Sequence, residues 1–352
     1  MEAQRKIVLL ILFALSSCTN TDPWAPAREE FLRGQSFERG SGAQRDLIKA
    51  LESYTRSAEQ GYPPAQNRLG EMYYSGDAIP KDFAAAAAWF EKAAGQSDAI
   101  AENNLGLMYQ SGDGVPREME RAVEWFTRAA EQGLASAQFN LATMYQNGDG
   151  VPRDSEKAVA WYSKAAAQGD RDSTYNLGWI FQNGDGVQKD SIQAAAWYAR
   201  GADTDSRAGF NLGLMYQSGD GLEKDPVQAA QWYEKAAEQG HVSAQHNLAV
   251  MYSTGDGVAR DPARAAEWFI KAAEQGDPSA QQNIATMYST GNGVPRDLVQ
   301  AYRWATIANS ARLRDSVKRR MTRQQFAAAE ELLKNSGPIE SGNEGSDPSL
   351  PE

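Results

Sequence analysis

Residues 137–168 read AQFNLATMYQNGDGVPRDSEKAVAWYSKAAAQ and divide into two halves around a glycine-rich centre. In the first half, Ala137, Leu141, Met144 and Tyr145 recur at the three- and four-residue spacing that places side chains on one face of an α-helix. Alanines and aromatic residues between positions 158 and 166 draw a similar stripe in the second half. The stretch therefore predicts a helical hairpin.

The ends of both helices carry local signals. Gly148 and Gly150 can adopt the positive φ that ends a helix without strain from a Cβ atom. Asp154 follows as a candidate N-cap, because its carboxylate can accept bonds from the unpaired amides of the second helix. Gly169 ends the second helix in the same way as the first.

The hairpin recurs along most of the 352 residues. Its clearest marker is a tryptophan that returns after 35 or 36 residues, at Trp89, Trp125, Trp161, Trp197, Trp232, Trp268 and Trp304. A fixed period of this length predicts stacked structural repeats. The tryptophans, and an asparagine that recurs in each first helix, are interpreted as packing and hydrogen-bonding residues of the stack, because they return in every unit.

Three motifs of this array resemble the Sel1-like repeat family. They are the Gly-Asp-Gly-Val loop at 148–151, Asn-Leu-Gly-x-Met-Tyr at 104–109 and 211–216, and Ala-Ala-Glu-Gln-Gly at 236–240 and 272–276. The resemblance covers residues 47 to about 311. It implies an all-α fold, an α/α superhelical solenoid of helix-turn-helix repeats related to tetratricopeptide arrays, in which the first helix of each repeat lines the concave side.

The start of the chain predicts export and lipidation. Arg5 and Lys6 precede nine apolar residues, a run that is too short to span a membrane and typical of a signal peptide. Residues 15–18, Leu-Ser-Ser-Cys, resemble the lipobox of bacterial lipoproteins, in which the cysteine receives the lipid. Cys18 is the only cysteine of the chain. The alternative is an ordinary signal peptide whose cleavage site contains a cysteine.

These signals predict five segments and a location. The segments are a signal peptide at 1–17, the lipidated Cys18 with a flexible tether at 18–44, an array of about seven repeats at 45–311, a capping helix at 312–335 and a disordered acidic tail at 336–352. We expect the chain to be anchored to a bacterial membrane. Thr19 follows the cysteine in place of the aspartate that resembles an inner-membrane retention signal, which favours the periplasmic side of the outer membrane in a Gram-negative host.

The composition argues against several classes of function. A formal charge of −11 disfavours nucleic acid as a partner. Two histidines and a lipidated cysteine leave no His/Cys set of metal ligands and no cysteine nucleophile, so neither a catalytic residue nor a cofactor is predicted. The resemblance implies a scaffold for multiprotein complexes, in an envelope or secretion assembly. The alternative is a cell-wall-directed binder or hydrolase of β-lactamase type, although the paired cysteines and the Ser-x-x-Lys motif of such proteins are missing.

The candidate binding surface comprises positions that vary while the frame around them is constant. They are the residue before the recurring asparagine and the residue four places later, which share one face of the first helix. In the central repeats this face carries aromatic and apolar side chains, which predicts an exposed groove for a protein partner. A polysaccharide remains open as ligand, and the alternative role for these side chains is packing against adjacent helices. The predicted groove residues are Phe139, Tyr175, Trp179, Phe210, Leu214 and His246.

Overall fold

A computed structural model describes residues 22–40 and 44–335. These residues form eighteen α-helices and no β-strand, so the predicted all-α repeat fold is confirmed. Odd-numbered helices up to α15 are the first helices of hairpins, and even-numbered helices up to α16 are the second. The helices are α1 (Ala25–Arg39), α2 (Leu47–Glu59), α3 (Pro63–Ser75), α4 (Phe83–Ala94), α5 (Ala99–Ser111), α6 (Met119–Glu131), α7 (Ala135–Asn147), α8 (Ser155–Ala167), α9 (Arg171–Asn183), α10 (Ser191–Gly201), α11 (Ser206–Ser218), α12 (Pro226–Glu238), α13 (Val242–Thr254), α14 (Pro262–Glu274), α15 (Pro278–Thr290), α16 (Leu298–Ile307), α17 (Ala311–Lys318) and α18 (Arg323–Asn335).

The chain divides into two compact units, of which the first ends at Trp161 and the second begins at Tyr162. In the first unit, each helix from α1 to α6 packs against the next one along the chain. In the second unit the same neighbour packing runs from α9 to α17, and α18 packs against α16. Each unit is therefore a stack of hairpins with local contacts, as expected for a repeat protein.

The core of each hairpin is built from alanines and one large aromatic ring of the second helix. Phe126 and Tyr198 are completely buried, and each follows one of the recurring tryptophans. Six of the seven tryptophans are only partly buried, and Trp304 is the exception. A cation three residues later covers several of these rings, as where Lys92 Nζ lies 3.6 Å from the ring centroid of Trp89. The tryptophans thus form the border of the core rather than its centre.

Glycine in some first helices allows the second helix to approach closely. A Cβ atom on Gly106 would lie 2.5 Å from a ring carbon of Phe126, and one on Gly178 would lie 2.5 Å from the ring of Tyr198. Such distances are well inside van der Waals contact, so the missing side chain is what makes room for the aromatic ring.

The predicted turn chemistry is confirmed. Gly148 and Gly150 have φ angles of 82° and 67°. The backbone N–H of Lys157 donates to Asp154 Oδ1 at 3.0 Å, which is the N-cap bond of α8. At Glu118, where the sequence departs from aspartate, the side chain makes no capping bond.

The folded part begins earlier than the sequence predicts. Helix α1 lies in the segment expected to be a tether and packs against α2. The contact is close because Gly34 faces the ring of Tyr54 and because Ser57 Oγ donates to the carbonyl oxygen of Ala27 at 2.6 Å. The segment from about residue 25 is therefore a packed helix and not a flexible linker.

The C-terminal end contains two helices, α17 and α18, where one capping helix was predicted. Thr322 and Gln325 explain the break, because each backbone N–H donates to the side chain of the other, at 2.9 and 3.2 Å. This reciprocal capping box starts a new helix at Arg323. Val317 and Ala329 are buried against the end of the array, so both helices cover it.

Several predictions concern segments outside the described residues. They are the signal peptide at 1–17, the lipidation of Cys18 and the acidic tail at 336–352. Within residues 22–40 and 44–335, no helix has the length and apolar character needed to cross a lipid bilayer.

Candidate functional site

A cavity of about 310 Å³ lies on the first-helix face of the first unit, between α3 and α5. Helix α3 and the loop after it form one side of the cavity, and α5 forms the other. The ring of Phe90 in α4 reaches the cavity from the core. The lining residues are Arg68, Glu71, Tyr74, Ser75, Asp77, Phe90, Asn104, Leu107 and Met108.

The bottom of the cavity is apolar and its walls are exposed. Phe90 and Met108 are 2% and 1% exposed and belong to the core between the helices. Tyr74 and Leu107 are 40% and 41% exposed and both line this cavity, and exposed apolar side chains that share one concavity are typical of an interaction surface. The cavity therefore offers apolar contact area that residues 22–40 and 44–335 leave uncovered.

A charged network forms one wall. Arg68 donates to Glu71 Oε2 at 2.6 Å and also pairs with Glu38, which accepts a further bond from Tyr54 Oη at 2.6 Å. Burial alone would raise the pKa of Glu38, but the hydrogen bonds from Tyr54 and Arg68 outweigh it and hold that pKa below its ordinary value. Glu38 is therefore ionised at neutral pH, and the guanidinium of Arg68 is held between two carboxylates.

A chain of amide hydrogen bonds leads from the carboxylate of Glu71 to the opposite wall. Asn67 Nδ2 donates to Glu71 Oε1 at 2.9 Å, and Asn104 Nδ2 donates to Asn67 Oδ1 at 3.0 Å. An ionised carboxylate can only accept, so it fixes the orientation of both amides. Asn104 therefore uses one amide N–H for the bond to Asn67, and its side-chain oxygen can act as an acceptor at the cavity.

Comparison with known proteins identifies the repeats. The family model of the Sel1 repeat matches eight consecutive segments of the sequence, at residues 30–62, 63–98, 99–134, 135–170, 171–204, 206–241, 242–277 and 278–311. The chain belongs to the Sel1 repeat family. The match gives eight Sel1 repeats rather than about seven, because α1 and α2 form the first of them. No curated protein matches the chain.

Two solved structures are similar over most of this Sel1 repeat array. A Sel1 repeat protein from Oxalobacter formigenes is 32% identical with a TM-score of 0.64, and the match covers 87% of this chain and 86% of that one. A protective antigen present in uropathogenic Escherichia coli strains, displaying an SLR fold, is 29% identical with a TM-score of 0.56, over 88% of this chain and 91% of that one.

Tyr175, which the sequence predicted to be exposed in the groove, is buried. It is 8% exposed, its ring centroid lies 5.9 Å from that of Tyr198, and the guanidinium of Arg207 lies 4.4 Å from its ring. The second helix of the same Sel1 repeat supplies Tyr198, so the ring fills space within the hairpin. The predicted exposure of Tyr175 is wrong.

The equivalent positions of later Sel1 repeats make the same contact. Phe210 lies 5.8 Å from Tyr233 and His246 lies 5.6 Å from Phe269, measured between ring centroids. His246 also contacts the carboxylate of Asp277 at 3.1 Å. The remaining predicted groove residues are partly buried, namely Phe139, Trp179 and Leu214. Packing between helices therefore accounts for much of this series, whereas its role in binding stays a prediction.

The sequence reasoning missed Arg68 and Glu71. Both belong to the second Sel1 repeat, and they are equivalent to Asn104 and Leu107 of the third. These two positions carry neutral residues in each later repeat, so the charges of Arg68 and Glu71 are a departure from the pattern. Including the second repeat in the comparison of first helices would have shown it.

Proposed function

We propose that this chain is a lipid-anchored scaffold that binds another protein through the first-helix face of its Sel1 repeats. The observation that carries the proposal is the cavity between α3 and α5, where Tyr74 and Leu107 expose apolar surface beside a fixed polar network. Exposed aromatic and aliphatic side chains around a concavity are the usual anchors of protein interfaces.

The family supports a binding role. Sel1 repeat proteins generally bind other proteins, and stacked repeats provide an extended surface for this purpose. The proposal places the partner in an envelope or secretion assembly, and it includes no catalytic residue and no cofactor. A polysaccharide partner and a β-lactam hydrolase are the outcomes that the tests below must separate from it.

Anchoring is the part of the proposal that rests on Cys18. Two or more acyl chains hold a protein stably on a bilayer, whereas one chain binds only marginally. Replacing Cys18 with Ala should abolish labelling by a palmitate analogue and leave an unprocessed precursor. Labelling that persists in this variant would refute lipidation, and sucrose-gradient enrichment in the inner membrane would refute the outer-membrane location.

Site-specific cross-linking tests the binding face. A photoreactive amino acid would replace Leu107 in the full chain, in cells, and the matched control would carry it at Glu124, which is exposed on α6. We expect a discrete protein adduct from position 107 and none from position 124. Equal adducts at both positions, or an adduct with polysaccharide alone, would overturn the proposal. Nitrocefin hydrolysis by the purified chain would establish the enzymatic alternative instead.

A further inference from the structure

The geometry of the cavity between α3 and α5 points to a lysine or arginine side chain as its occupant. We infer that a basic segment of the partner inserts such a side chain between Tyr74 and Leu107. This inference deepens the proposed function and rests on it. The test below is chosen so that the two can fail separately.

The cavity already contains one cation, the guanidinium of Arg68. Arg68 lines the cavity, but its guanidinium donates to Glu71 and pairs with Glu38. Both oxygens of Glu71 are also engaged, one by Arg68 and the other by Asn67. The positive charge of Arg68 is thus held by two carboxylates, whereas each oxygen of Glu71 accepts one bond and keeps a further lone pair. A ligand must therefore be recognised mainly by oxygen acceptors.

Oxygen acceptors predominate among the other polar atoms of the cavity. Asn104 gives its amide nitrogen to Asn67 and keeps its carbonyl oxygen. Tyr74 donates its hydroxyl proton to Asp113 Oδ2 at 2.9 Å, which leaves the lone pairs of Tyr74 Oη. Asp77 is an exposed carboxylate on the loop that borders the cavity. Asn104 keeps one further N–H, but the oxygens of Asn104, Tyr74 and Asp77 outnumber it, so these groups favour a ligand with N–H groups.

The apolar part of the cavity selects the rest of the ligand. Phe90 and Met108 form the bottom, and Leu107 forms an exposed wall. Lysine and arginine combine a long apolar stem with a cationic head, so the stem can cover these side chains while the head reaches Asp77 or Asn104. The ring of Tyr74 can add a cation–π contact. A volume of about 310 Å³ accommodates one long side chain.

The local charge disfavours an acidic ligand. Four carboxylates line the cavity or bond to its lining residues, and their charge exceeds that of the guanidinium of Arg68. They are Glu38, Glu71, Asp77 and Asp113. Three further cations lie close to this region, namely Lys81 over Gly76, Arg117 over Gly112 and Arg45 near Glu38, so the excess is confined to the lining itself, where two carboxylates, Glu71 and Asp77, accompany one cation, Arg68. A glutamate of the partner would meet acceptors and negative charge.

Methyl NMR on the full chain tests this inference directly. The chain would be labelled with methyl-¹³C methionine, and the Met108 signal would be assigned from the spectrum of Met108→Leu. The probes would be the Nα-acetyl amides of arginine, lysine, norleucine and glutamic acid. We expect arginine and lysine amides to shift the Met108 signal saturably at millimolar concentration, norleucine amide to bind roughly tenfold more weakly, and glutamic acid amide to give no shift.

A pair of variants locates the acceptor. Asp77→Asn should weaken arginine amide several-fold, whereas Asp149→Asn, in an equivalent loop of the same unit, should leave the titration unchanged. Equal binding of arginine and norleucine amides, or no shift of Met108 with either cation, would overturn the inference. If the adduct from position 107 still formed in that case, the proposed function would stand and only the basic occupant would be lost.

Discussion

Glu102 occupies a position where four other repeats carry glutamine. In those repeats the glutamine side chain donates to the backbone carbonyl eight residues earlier, at 3.1 to 3.2 Å, and so ties the first helix to the end of the preceding hairpin. The four are Gln66, Gln138, Gln245 and Gln281. A carboxylate cannot donate this bond, so Glu102 is expected to disturb the frame unless another group supplies the donor.

Arg128 supplies that donor. Its Nη2 donates to the carbonyl oxygen of Ala94 at 3.3 Å and lies 2.8 Å from Glu102 Oε1. Gln132 donates to the other carboxylate oxygen at 2.6 Å. Glu102 is only 1% exposed, and its burial raises its pKa above the ordinary value although Arg128 lowers it in part. The arginine thus replaces the missing amide, at the cost of a buried charge.

We therefore expect Glu102→Gln to leave the folded chain as stable at neutral pH or to stabilise it by about 1 kcal/mol. The glutamine amide can donate to Ala94, as its equivalents do in other repeats, and the buried charge is removed. A carboxyl whose pKa is raised by folding loses stabilisation as the pH rises from its ordinary pKa to the raised one. The advantage of the variant should therefore be smallest near about pH 4 and grow towards about pH 7.5.

Urea unfolding followed by circular dichroism at both pH values measures this difference. The reverse change, Gln138→Glu, is the matched control, because it removes the donor to Ala130 and buries a carboxylate. We expect it to destabilise the chain by about 1–3 kcal/mol at neutral pH. If Glu102→Gln instead destabilised the chain by more than about 1 kcal/mol, or if its effect did not change with pH, the assigned role of Arg128 would be wrong.

Two further substitutions test the packing of the repeats. Tyr175→Ala should destabilise the second unit by about 3 kcal/mol, because the ring is buried against Tyr198, and a thermal melt identical to the wild type would return Tyr175 to the exposed groove. Gly106→Ala should cost about 1–3 kcal/mol, because the new Cβ would lie 2.5 Å from the ring of Phe126; an unchanged urea midpoint would show that the helices can separate freely.

The sequence predicts the repeats well because their signals are local. The positive φ of Gly148 and the capping bond of Asp154 depend on neighbours within a few residues. Because these signals return after 35 or 36 residues, the repeats can be counted along the sequence. The packing of helix α1 onto the array was missed because its buried positions are the small residues Ala27 and Gly34, which draw no apolar stripe. The large side chain of that interface, Tyr54, belongs to the next helix.

The candidate site depends on contacts between helices, which the sequence does not display. Tyr175 occupies a variable position with a helical spacing that suits either a groove or a core. Its environment is decided by Tyr198, 23 residues later, and by Arg207 in the following repeat. The cavity, in contrast, involves Arg68 and Glu71, two charged residues where later repeats are neutral. Departures from the repeat were therefore more informative than aromatic character.

The two charged departures of the first unit differ in what they replace. Glu102 and Arg128 together restore a bond that the frame needs, the one to Ala94. Arg68 and Glu71 replace no such bond, because the link between neighbouring first helices is made by Asn104 and Asn67, as its equivalent is between Asn140 and Asn103. A charged pair that does not stand in for a bond shared by the other repeats is the better candidate for a role in binding.

The double variant Arg68→Asn with Glu71→Leu, which copies the next repeat, turns this contrast into a measurement. Both side chains are about one-third exposed, but Glu38 also loses its cation, so we expect the unfolding free energy to fall by about 1–2 kcal/mol. Without Glu71 the amides of Asn67 and Asn104 are free to turn, and the cavity loses its fixed acceptor. Binding of arginine amide at Met108 should therefore weaken at least several-fold while the chain stays folded, with only this small shift of the melt. A large loss of stability with binding intact would show that Arg68 and Glu71 serve the frame and not the ligand.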